Sequence, residues 1–371
     1  MHGPALLDRL RAAASELGLG RIGVAAAAPS DHADALRSWL ARGRAAGMTW
    51  WMERTARDSV DLRRRFPWFR SAIVVAQPYL PYDGARAEQE GILPHVARYA
   101  AGRDYHAVLE ARLEALAAVL SAECPGQTHR VYVDTGAILE RELAARAGLG
   151  WFGKSTNLIL EGGDSWVVLG EILTSVALPA GTPVVDHCGT CTACLDECPT
   201  GAILEPYVVD ANRCLSYLTI EHRGALPEEA AASFDDWLFG CDVCQEVCPW
   251  NQRVAPAADP DFAAGDALRR TTLSEVARMD ETAFKERFAG TALLRARRAG
   301  VVRNALLVGA RRGDDAVIET ARAARADADP AVREAARQAL AMARGSAPAA
   351  RPRATGTPPQ SAFDAPDDGV L

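Results

Sequence analysis

CGTCTACLDECP, residues 188–199, spaces four cysteines as C-x2-C-x2-C-x3-C and places a proline after the last. Turns this tight set three thiolates around one face of a four-iron cubane, while the fourth begins the next helix and serves a neighbouring cluster. A second group follows: Cys214, then CDVCQEVCP, residues 241–249, with Cys241, Cys244 and Cys248 again ahead of a proline. Exchange of the outlying cysteines assigns Cys188, Cys191, Cys194 and Cys248 to one [4Fe–4S] cluster. Cys198, Cys214, Cys241 and Cys244 hold the other. Cys214 replaces the usual third member of a tight run, with a 26-residue insertion before Cys241. Iron–sulfur chemistry needs four soft thiolates per cubane. Two structural zinc sites would use as many cysteines, but they rarely produce paired C-x3-C-P endings. The ninth cysteine, Cys124, is isolated in sequence and reads as a structural thiol.

The rest of the chain is too long for an electron relay alone. Its 371 residues suggest two or three domains, and 49% apolar content supports a real core. A net charge of −7 argues against a coat for nonspecific nucleic-acid binding, though not against a local basic patch. No apolar run is long enough to span a membrane, and Met1 to Leu10 lacks a secretory core. A cytoplasmic protein is expected, in which disulfides are disfavoured and nine cysteines need another use. A monomer is expected.

The first 180 residues mix strands and helices. Ser71–Pro78 (SAIVVAQP) reads as a buried strand, joined by strands at Arg21–Ala27 and Arg130–Asp134. Ser165–Leu169 and Ile172–Leu178 read as two further segments, with Glu171 able to bend or break the run. Helices are expected at Leu6–Leu17, Asp31–Arg44, Asp104–Ala122 and Leu139–Ala147. From Leu273 onward the chain reads as helices, and Val302-Arg303-Asn304-Ala305 recurs as Val332-Arg333-Glu334-Ala335. A period of roughly 30–45 residues fits a short HEAT-like unit, a packed helical hairpin being the alternative. The fold class is α+β. The expected organisation is a catalytic domain over 1–180, a two-cluster ferredoxin-like domain over 181–255, a helical region over 256–344 and a disordered tail over 345–371.

Four further stretches carry a resemblance: RYAAGRDYH (98–106), VDTGAILERELAARAGLGWFGKS (133–155), CLSYLTIEHRGALP (214–227) and FGCDVCQEVCPWN (239–251). In this order they resemble the epoxyqueuosine reductases, cobalamin-dependent tRNA-modifying enzymes related to reductive dehalogenases. The resemblance covers nearly the whole chain except the tail. It implies a nitroreductase-like cobalamin-binding domain, electrons passed singly from the clusters to cobalt, and a helical region gripping the tRNA anticodon arm. It implies reduction of the epoxide at the wobble base, with electrons from a donor the sequence does not identify.

Asp134 matches the proton donor of that family. An epoxide oxygen leaving carbon must be protonated, and a carboxyl beside a bulky apolar cofactor can stay neutral through desolvation. The plainer reading is a cap for the turn at Thr135 and Gly136. Matching motifs also implies cobalamin contacts at Ala97, Asp134, Leu158, Leu169, Ile172, Ser216, Cys241 and Asp242. His106 is not expected to ligate cobalt. On composition alone Arg295, Arg297, Arg298 and Arg303 read as a solvated helix face; the implied tRNA substrate turns them into phosphate contacts. Trp237 and Trp250 are candidate base-stacking rings, though such residues are more often core. Ser59 departs from the family's usual arginine eight residues before the proline at 67, with Arg54 and Arg57 nearby. Alternatives are a corrinoid reductive dehalogenase, or an electron-transfer protein without its own active site.

Overall fold

The computed structural model describes residues 3–49, 56–82, 85–232, 234, 236–252 and 254–344. Arg54 and the tail expected to be disordered lie outside these residues. The chain folds as α+β. In the first half, α1 (Pro4–Glu16), β1 (Arg21–Ala26) and α2 (Ala33–Ala41) precede the central strand β2 (Ser71–Pro78). Then come α3 (Tyr105–Glu123), β3 (His129–Tyr132), α4 (Glu140–Arg146), β4 (Gly150–Phe152), β5 (Leu158–Leu160) and β6 (Val167–Thr174).

Four of these strands form one antiparallel sheet in the order β1-β2-β6-β3. The SAIVVAQP run is central because all but its last residue is buried. Alternation sends Ile73, Val75 and Ile172 toward Leu10, Leu109 and Leu113 of α1 and α3. It sends Ala72, Val74, Leu169 and Leu173 toward Leu143 and Ala144 of α4 and Leu158 of β5. Each fully buried large aliphatic stabilises by about 1.5–3 kcal/mol, an upper estimate for a real unfolded chain. Gly170 lets α3 approach, since a Cβ there would lie 2.6 Å from Leu113 Cδ1.

Two strand expectations need correction. Glu171 does not interrupt its strand: β6 runs unbroken through it, with Glu171 opposite Val74 on one side and Tyr132 on the other. β3 stops at Tyr132, so Asp134 stands beyond the strand, in the turn before α4.

The cysteine region carries α5 (Ala193–Asp196), the short ladder β7 (Ile203–Glu205) with β8 (Val208–Val209), α6 (Leu215–Ile220), α7 (Glu228–Ala232) and α8 (Val243–Glu246). Six helices follow: α9 (Asp266–Arg270), α10 (Leu273–Arg278), α11 (Glu281–Arg287), α12 (Arg297–Arg311), α13 (Asp315–Ala324) and α14 (Pro330–Arg344). The insertion between Cys214 and Cys241 belongs to their core: Leu218, Trp237 and Phe239 cluster with Leu293, Val302 and Leu306. Buried Arg303 donates to the carbonyls of Leu218, His222 and Gly224, closing the C-terminal end of α6. Asn304 donates to the carbonyls of Thr219 and Leu238. Among the described residues, no helix is long and apolar enough to cross a membrane.

Candidate active site

The fold sorts the cysteines into two groups. The Cys194 thiol lies within electrostatic reach of Cys248, Cys188 and Cys191, and Cys248 within reach of Cys188 and Cys191. Cys214 faces Cys198, Cys241 faces Cys244 and Cys214, and Cys244 faces Cys214, Cys194 and Cys198. Cys194 and Cys244 adjoin across the two sets, so the eight thiols are gathered together. Burial, reinforced by neighbouring sulfurs, pushes the Cys194 and Cys248 thiols up to about 11 and Cys244 to about 12. Sulfurs gathered in this way suit a cationic cluster among them. Among the described residues no three ligating side chains close around a single ion. Cys124 is buried at the end of α3 beside the α1 and α3 packing, as a structural thiol should be.

A cavity of about 1160 Å³ lies between the sheet and the cysteine region. Cys198, Cys214, Cys241 and Cys244 line it; Cys188, Cys191, Cys194 and Cys248 do not. Of the expected cofactor contacts, Asp134, Leu158, Leu169, Ser216, Cys241 and Asp242 are on its wall. Ala97 and Ile172 are not. Ala97 supports the wall from behind, bonding to the Phe239 carbonyl at 2.8 Å, while Ile172 is buried on the α3 side of the sheet. The Asp242 carboxylate accepts from the Arg98 N–H at 2.7 Å.

Asp134 does not cap the turn at Thr135 and Gly136. Its backbone is left-handed, φ 54°, within a tight turn in which the Thr135 N–H donates to the Val133 carbonyl. Its own N–H donates to Glu140 Oε1 at 2.6 Å. Its side chain, 58% exposed, meets His106 Nε2 at 3.2 Å. His106 Nδ1 lies 2.7 Å from Asp104, the residue that caps α3. A ring between two carboxylates donates from both nitrogens and is therefore an imidazolium. Despite partial desolvation, the two bonds hold His106 up to about 9. Burial would raise Asp134, but His106, Arg295 and Arg141 outweigh it and keep the carboxyl below its usual range. In this arrangement the proton of the pair resides on His106.

The four arginines separate by helix phase. Arg295 is exposed, bonds Glu221 at 2.8 Å and lines the cavity. Arg297 is exposed at a left-handed position, φ 59°. Arg298 is mostly covered and paired with Asp327. Arg303, 1% exposed, is withdrawn from any phosphate surface, because its guanidinium is committed to three carbonyls. Trp237 is fully buried under Arg86 and cannot stack on a base, while Trp250 packs edge-on against Trp151. Ser59 is buried, and its hydroxyl has no partner among the described residues.

Sequence reasoning missed three contributors. In the GKST stretch between β4 and β5, Lys154 Nζ bonds the carbonyls of Gly189 and Cys191 at 2.6 and 2.9 Å, bracing the loop of the outer cysteines. Asn157 Nδ2 approaches Cys244 Sγ at 3.6 Å. Glu140 and the buried Glu171 bring two carboxyls within reach of each other and of Asp134. The lysine was legible as part of a motif; the other two arise from distant segments.

An inner thiol group that lines one cavity with Asp134 and His106, with an outer group beside it, fits an iron–sulfur oxidoreductase. Residues 187–251 match a 4Fe-4S double cluster binding domain, and residues 60–135 match the epoxyqueuosine reductase model QueG, DUF1730. An epoxyqueuosine reductase of Xanthomonas campestris pv. campestris is 40% identical over 338 residues, covering 90% of this chain and 95% of that one. An epoxyqueuosine reductase solved with an epoxyqueuosine-modified tRNA-Tyr stem loop superposes with TM-score 0.82 at 28% identity, covering 91% and 89% of the two chains. A Bacillus subtilis epoxyqueuosine reductase, solved with an Asp134 catalytic loop swung out of its active site, matches with the same TM-score and identity over 91% and 90%. The chain belongs to the epoxyqueuosine reductase family.

Proposed function

We propose that the chain reduces epoxyqueuosine to queuosine at the wobble position of tRNA, with Asp134 as proton donor. One observation carries this: Asp134 and the inner cysteine group share a single cavity, in a chain whose family is named for the reaction. The reaction consumes two electrons and two protons, and the epoxide oxygen leaves as water. Cys188, Cys191, Cys194 and Cys248 hold the outer [4Fe–4S] cluster, and Cys198, Cys214, Cys241 and Cys244 the inner one. That order delivers reducing equivalents from a donor at the surface toward the cavity. Mass analysis of tRNA nucleosides after incubation of reduced protein with epoxyqueuosine-containing tRNA tests the activity; absence of queuosine refutes it.

The cavity exceeds the ~300–1,000 Å³ usual for a drug-sized ligand and suits a macrocycle such as cobalamin. Leu158, Leu169, Ser216 and the backbone of Cys241 and Asp242 would hold it, with Ala97 and Ile172 shaping the wall behind. A bound corrinoid supplies the reducing centre. In this reading the sheet half is the nitroreductase-like domain, residues 181–255 the ferredoxin-like one, and the paired helices from Asp266 a HEAT-like support for the anticodon arm.

The chain's own residues manage the proton. His106 Nε2–H donates to Asp134 Oδ2, so this pair holds a proton beside the substrate at neutral pH. As the C–O bond of the epoxide breaks, Asp134 presents that proton to the departing oxygen. Product formation should therefore fall as pH rises through about 9, where the imidazolium deprotonates. His106→Gln should lack that alkaline limb in a pH–rate series; an unchanged profile removes His106 from the proton path.

Arg295 and Arg297 are the arginines we assign to tRNA phosphates. Changing both to alanine should flatten the log–log salt dependence of tRNA binding by about 1.4–1.8, the counterions of two lost contacts. A slope equal to the parent's, measured by fluorescence anisotropy, would remove them from the interface.

A further inference from the structure

Glu171 lies in the middle of the sheet, 0% exposed, and among the described residues no N–H or hydroxyl donor reaches either oxygen of its carboxyl. The nearest polar group acting on it is another carboxyl, that of Glu140 at the start of α4, which lies within hydrogen-bonding reach. Two carboxyl oxygens in such contact need a proton between them. Glu140 uses its Oε1 to accept the N–H of Asp134, 2.6 Å away, at the left-handed residue of the turn. The groups facing this pair are Asp134 and Arg141 as well as the two carboxyls themselves. Among the described residues no arginine or lysine bonds Glu171, so a proton shared with Glu140 is what would keep the two acids together.

We infer that Glu140 and Glu171 are positioning residues for the reaction: by sharing a proton across their carboxyls, they hold the Asp134 turn with its side chain in the cavity. This rests on the reading of Asp134 as proton donor. The turn needs such an anchor because its left-handed, three-residue geometry is strained for a non-glycine residue. Glu140 fixes the backbone of the donor and Glu171 fixes Glu140. Burial drives Glu171 well above the ordinary carboxylate range, and burial with the Asp134 charge lifts Glu140 to about 7. The pair thus keeps a proton at neutral pH.

Three variants test this. Glu140→Ala, at matched iron content and tRNA affinity, should lower kcat by about 10²-fold, the effect of a displaced reacting group. Glu140→Gln keeps an oxygen for the Asp134 N–H and an amide for Glu171, and should restore most of that loss. Equal losses in both variants, or none in Glu140→Ala, would overturn the proposal. Glu171→Gln supplies a permanent N–H donor where the shared proton stood. From about pH 4.5 upward the folded parent holds more protons at Glu171 than the unfolded chain, so its stability falls as pH rises. Between pH 6 and 9 the parent's Tm should therefore drop by about 3 °C more than that of Glu171→Gln. Parallel Tm curves would show that no shared proton exists. That measurement needs no substrate, so it stands even if the catalytic reading of Asp134 fails.

Discussion

Replacement of Asp134 by asparagine is expected to cut queuosine formation by about 10²–10⁴-fold, the loss of a general acid, while iron content and tRNA binding stay at parent levels. The side chain keeps its shape, and neither cysteine group touches it. The amide still accepts from His106 Nε2, but it cannot pass a proton on. A residue that merely shaped the turn would tolerate the change, because asparagine adopts left-handed backbone as readily as aspartate. Near-parent turnover by Asp134→Asn, compared at equal cluster loading, would therefore end the catalytic assignment.

The second large effect concerns the thiols. Reconstituted protein should contain eight iron and eight sulfide, four of each per cluster. Alanine at both Cys198 and Cys214 should remove the inner cluster alone, halving the iron and abolishing turnover. Alanine at Cys188 and Cys248 should likewise remove only the outer one. Ligation in simple sequence order would instead put Cys198 with Cys188, and the Cys198/Cys214 variant would then damage both clusters. Iron assay together with the EPR signal of the reduced protein separates these outcomes.

Much of this was legible in the sequence because short-range geometry dictates it. The two cysteine runs carry their spacing within a few residues, and the alternating β-branched run of β2 announces a buried strand. What escaped depends on contacts across long separations. Glu171 looked like a strand breaker, since a lone carboxylate is costly inside a sheet; Glu140, 31 residues earlier, changes that by sharing its proton. RARRAGVVR looked like one basic face. Helical phase instead turns Arg303 inward onto the carbonyl end of α6, which composition cannot foretell. The place of His106 between Asp104 and Asp134 required the tertiary structure.

The bonds from Arg303 and Asn304 into the segment between Cys214 and Cys241 bear on how the protein is made. All eight ligating cysteines have been synthesised by residue 248, yet the side chains that fix this segment come more than fifty residues later. During translation the outer site can close on neighbouring chain, whereas the inner one waits for α12 to emerge and dock. A ribosome stalled between the two points would present thiols able to capture iron but not the scaffold that sets them against the cavity. Completion of the inner position is therefore expected to come later than that of the outer one, and chains shortened before α12 should lose iron from the inner cluster first.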